Sequence, residues 1–168
     1  MTFRTAVLAL VTAVCAAPVV AGSATVFDDA QWSGRGVFRD AVDGPVQKGR
    51  CRIDSVTGAG TQLMEMSGRC AGVAASTKVL LKLEKREGNR VAAVFRLWAW
   101  DRDLQFVGTQ KDGVIALTGR TPVELNEAPF GSALTIKWAD ASGFSMVFSV
   151  TPQTGPHVEL LSMQFKHR

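Results

Sequence analysis

The chain has 168 residues, 46% of them hydrophobic and 20% charged, with a formal net charge of +4. That length fits one domain with a sizeable core, and that composition excludes a wholly disordered chain. No run of basic residues reaches the density of a nucleic-acid or anionic-membrane tract, so charge argues for a general affinity for acidic surfaces at most.

The first stretch, MTFRTAVLALVTAVCAAPVVAGSA, sets Arg4 ahead of an apolar run from Ala6 to Ala17 and ends in small residues. This is the pattern of a secretory signal peptide over residues 1–24, with cleavage after Ala21 or Ala24. Its apolar core is short of the ~20 residues that span a bilayer, which leaves no integral membrane span after cleavage. An uncleaved anchor is the alternative. Losing Arg4 leaves 18 basic against 15 acidic residues, a net +3 for the mature segment 25–168. Cys15 would leave with the leader; Val14 before it does not suit a lipidation signal. Cys51 and Cys70 then remain as an even pair in an oxidising compartment, and a disulfide between them is expected, with two buried thiols as the alternative.

From Gln31 to Asp40 the residues alternate, with Trp32, Gly34, Gly36 and Phe38 on one face and Ser33, Arg35, Val37 and Arg39 on the other. Period two predicts a strand. Asp43-Gly44-Pro45 turns the chain. Gln47–Ser55 and Gln62–Cys70 then predict a hairpin around Thr57-Gly58-Ala59-Gly60. Both cysteines carry the inward parity of their strands. Lys78–Lys85, Arg90–Trp100, Leu104–Gly108, Val114–Gly119, Ala133–Ala139, Phe144–Val150 and Val158–Phe165 continue the series. Turn residues at Gly88-Asn89, Lys111-Asp112-Gly113, Ser142-Gly143 and Thr154-Gly155-Pro156 separate them. About ten short strands without a helix predict an all-β fold. A sheet this long hides its edges most simply by closing, so we expect an antiparallel up-and-down β-barrel of roughly eight to ten strands. A two-sheet sandwich is the second architecture.

The chemical inventory is thin. There are two histidines and no tyrosine. No pair stands at zinc spacing, no CxxC occurs, and no G-x-S-x-G or phosphate-binding glycine loop is present. Asp101 and Asp103 flank Arg102 at a turn and read more simply as a solvated charged turn than as an acid–base pair. No metal site and no enzymatic activity are expected. Binding has more support. The inward rows mix bulky residues (Trp32, Phe95, Phe106, Trp138, Phe144 and Phe148) with small ones such as Gly34 and Gly36. They line either a cavity for one apolar molecule or a filled core with tapered corners. On the outer parity, Arg96, Trp98 and Trp100 have the composition of an interaction hot spot.

The segment Trp32-Ser33-Gly34-Arg35-Gly36 resembles the opening of calycin-type barrels (lipocalins, fatty-acid-binding proteins and their bacterial relatives), whose first strand carries a Trp-x-Gly or Gly-x-Trp motif. Its W-x-G-x-G form is most similar to nitrobindin-type barrels, which bind haem through a histidine near the C-terminus. The resemblance implies that Trp32 closes the barrel base and that His157 is the candidate axial ligand if haem is bound; otherwise no cofactor is expected. The sequence therefore reads as a periplasmic or secreted, lipocalin-like barrel holding a small apolar molecule. The alternative is an interaction protein, an inhibitor or envelope assembly partner, with a filled barrel and a surface around Arg96, Trp98 and Trp100.

Overall fold

The computed structural model describes residues 29–72, 76–96, 103–140 and 142–168. The leader assigned to residues 1–24, and with it Cys15, lies outside the described residues, as do Trp98 and Trp100. Eleven strands follow one another: β1 (Ala30–Phe38), β2 (Gln47–Thr57), β3 (Gln62–Ala71), β4 (Ser76–Lys85), β5 (Arg90–Arg96), β6 (Leu104–Lys111), β7 (Val114–Gly119), β8 (Val123–Leu125), β9 (Ala128–Asp140), β10 (Gly143–Pro152) and β11 (Val158–His167).

Each of the first six strands pairs antiparallel with the next, and β7 pairs with β9, β9 with β10, β10 with β11, and β11 back with β1. The ring is closed. It is an up-and-down barrel of ten strands, with the three-residue β8 attached to the outer end of β9. Closure removes both sheet edges, and with them the sandwich alternative.

The alternation read from sequence is the alternation of burial. Along β1, Trp32, Gly34 and Phe38 are buried while Gln31, Arg35 and Val37 face water. Along β2, every odd position from Gly49 to Ser55 is buried and every even one is exposed. Inward side chains are apolar and outward ones largely polar, the reverse of a barrel that spans a bilayer with its strands. Among the described residues no helix is long and apolar enough to cross a membrane.

Two local departures explain what periodicity alone does not. Leu160 and Leu161 are buried in succession because the β10–β11 register slips between Phe148 and Ser149, leaving one extra residue on β11. A bulge of this kind lets neighbours face the same side. The second is β9. Its expected span, Ala133–Ala139, is extended backwards to Ala128. Pro129 and Gly131 discourage a strand assignment, yet the tight β8–β9 turn at Asn126 and Glu127, with φ of 51° and 64°, fixes the register from the other end.

The disulfide forms as expected. Cys51 and Cys70 stand directly opposite each other on β2 and β3, with an S–S distance of 1.97 Å.

Candidate functional site

The up-and-down order gives the barrel two unlike ends. One holds the starts of β1 and β10 and the ends of β9 and β11. There Trp32 sits edge-on to Phe144 at 5.1 Å between ring centroids, Trp138 stacks on Phe144 at 5.3 Å, and Phe144 stacks on Phe165 at 4.5 Å. Edge-to-face and stacked pairs of this kind add to simple area burial. The Trp32 indole N–H donates to Ser55 Oγ at 2.9 Å, and Ser55 is itself buried, so the polar atom of Trp32 is satisfied. His167 lies edge-on against the same indole at 5.4 Å. This end is plugged, and Trp32 plugs it.

The glycines of β1 serve that plug. A Cβ on Gly34 would run into the Phe165 ring, and one on Gly36 into the Ser162 carbonyl and the Met163 side chain. Near the opposite end Phe38 lies over Gly49 and Gly72 in the same way. The space these glycines leave is therefore filled by neighbouring side chains. Of the expected cavity lining, Trp32, Gly34, Trp138 and Phe144 belong to packed core near the plug, and Gly36 is half-buried further along β1 against Ser162 and Met163.

The other candidates are brought together higher up. Phe148 tilts against Phe95 at 5.7 Å and meets Phe106 edge-on at 6.3 Å. All three are essentially inaccessible to solvent. Beside them runs an inward row of smaller residues. Val150 opposes Ser132 across β10 and β9, Gly119 opposes Phe106 across β7 and β6, and Phe106 opposes Ala93 on β5. Ser132 and Gly119 meet between β9 and β7: a Cβ on Gly119 would collide with Ser132 Oγ. Ser132 is only 6% exposed, and among the described residues its hydroxyl has no hydrogen-bond partner. A buried hydroxyl left alone costs about 1–3 kcal/mol, so this atom calls for a physical explanation. Sequence reading missed Ser132 because it began the strand at Ala133. Its signal was the parity of Leu134, Ile136 and Trp138 continued two residues back.

His157 stands elsewhere. It is exposed in the β10–β11 connection, with Nδ1 3.4 Å from the hydroxyl of exposed Thr151. An imidazole placed beside an outward threonine at the rim does not fit a haem held inside the barrel, and no chemistry is derived through that group. Among the described residues no cluster of three or more His, Cys, Asp or Glu could hold a metal ion. Arg96 is exposed and its guanidinium Nε donates to Asp103 Oδ1 at 2.6 Å. Asp140, at the plugged end, has its carboxyl held below the usual range by hydrogen bonds from the Ser142 hydroxyl and backbone N–H.

Compared with known proteins, the chain matches no family model and no curated protein. Architecture is what can be compared. A closed antiparallel ten-strand barrel is compatible with the calycin type.

Proposed function

We propose that the protein is an exported, calycin-like, non-enzymatic barrel that takes a small apolar molecule bearing one hydrogen-bonding group through the end opposite Trp32. The observation that carries this reading is Ser132: a buried, inward hydroxyl without a partner, set among Phe106, Phe148 and Val150 beside Gly119. Binding sites for small molecules combine such apolar walls with a few placed polar atoms. The Cys51–Cys70 bond supports export, since disulfides persist in oxidising compartments.

The test is native mass spectrometry of the freshly purified protein, followed by titration with a dansyl-labelled fatty acid. A co-purified apolar molecule, or saturable probe binding blocked by Ser132→Leu and retained in part by Ser132→Ala, supports the reading. A ligand-free spectrum together with no probe binding overturns it.

A second reading has its own support. The glycines that would widen the barrel are covered by Phe165, Met163 and Phe38. A barrel filled in this way would act through its surface as an inhibitor or envelope assembly partner, and the Arg96 corner is the expected patch.

A further inference from the structure

The basic residues that look dispersed in sequence are gathered by the strand register. Arg35 on β1, Lys48, Arg50 and Arg52 on β2, Arg69 on β3 and Lys78 on β4 all point outward and are exposed. Three pairs of them stand directly opposite one another: Arg35 with Arg50, Arg52 with Arg69, and Arg69 with Lys78. Like charges in directly opposed positions of an antiparallel pair destabilise the sheet. Among the described residues none of the six has an acidic partner. The ion pairs of the barrel wall join Lys82 to Glu65, Arg86 to Glu84 and Arg96 to Asp103 instead. Folding alone gives no reason to concentrate cations here, because a protein of mild net charge can place them anywhere.

Two further features lie on the same wall. A surface depression of about 440 Å³ is lined by Arg35, Lys48 and Arg50 together with Gly36, Gly49 and Gly72. Of the four large hydrophobic side chains exposed among the described residues, three flank the cations: Val37, Val46 and Val56. Val37 opposes Lys48. The outward row of β2, with the residue before it, reads Val46, Lys48, Arg50, Arg52, Asp54, Val56, a basic centre between two apolar ends. A linear polyanion needs cations but has no use for the valines. A lipid headgroup layer uses both, phosphates for the cations and the interfacial zone for the apolar side chains.

We propose that the outer wall of β1–β4 is a docking surface for an anionic phospholipid bilayer, with the barrel lying on its side along β2. The surface is independent of whether the interior holds a ligand. Each basic residue at such a surface adds to the attraction, which fades beyond a Debye length of ~8 Å at physiological salt. Reversing the central Arg69 should therefore weaken binding by about tenfold or more. It should also raise the melting temperature, because it turns two repulsive cross-strand pairs into attractive ones.

The experiment is co-sedimentation of the full protein with vesicles of phosphatidylcholine and phosphatidylglycerol at three to one, against phosphatidylcholine alone. We expect salt-sensitive binding to the first and little to the second. Arg69→Glu should lose binding while melting no lower than the parent, and Lys137→Glu, on the outer face of β9, should bind as the parent does. Equal binding to neutral vesicles, an Arg69→Glu variant that binds normally, or equal losses in the two variants would each overturn the proposal. So would binding to soluble polyphosphate without binding to anionic vesicles.

Discussion

Gly34 shows how much of this barrel is decided by single atoms. Its missing side chain is where the Phe165 ring lies, and that ring stacks on Phe144 and, through it, meets Trp32. Gly34→Ala must push the ring aside, and overpacking a filled core costs about 1–3 kcal/mol. Urea unfolding should register that loss, and combining Gly34→Ala with Phe165→Leu should recover part of it, since residues in contact do not act additively. If the two losses simply add, the ring does not occupy the space beside Gly34. Ser132 is the opposite case, a residue whose chemistry exceeds what packing asks of it. The sequence marks Trp32 and Gly34 through their motif and their parity. Ser132 carries no such mark, because its importance lies in lacking a partner, and partners are known only once strands are paired.

At the scale of elements, the β2–β3 hairpin is the most legible part of the chain. Alternation, a glycine turn and two cysteines of the same parity are enough to place Cys51 opposite Cys70. The least legible is β8 with the beginning of β9. Pro129, Gly131 and a three-residue partner strand carry no periodic signal, and the register comes from the turn geometry at Asn126 and Glu127. The cysteines are separated by 19 residues, and in the chain-entropy description a loop of that size contributes about 3 kcal/mol. Replacing both with alanine should lower the stability measured by urea unfolding by roughly that amount, and the variant should still give the far-ultraviolet signature of β-structure. An unchanged midpoint would mean that the bond adds nothing to a hairpin already held by its neighbours.

At the scale of the whole molecule, the sequence predicts the closed barrel because a series of short alternating strands leaves its edges only one economical solution. It does not predict which outer residues become neighbours. Arg52, Arg69 and Lys78 are spread over three strands, and only the register sets them in one line. That is why composition suggests mild charge while the wall concentrates it. The ring also depends on β11, which separates β10 from β1. Deleting residues 158–168 should expose both of those strands as open edges and convert the protein into oligomers visible by light scattering. A monomeric truncated barrel would mean that β10 can pair with β1 directly.

The two neighbours of β1 come from opposite extremes of the described chain, β2 at once and β11 only after every other strand. While the polypeptide is being made, nothing can seal the cylinder, and its first strand waits with one flank unpaired. Under the export proposed above, in which the chain would cross a translocation channel as an extended thread, that delay is an advantage. The final fold is out of reach until the last segment has come through.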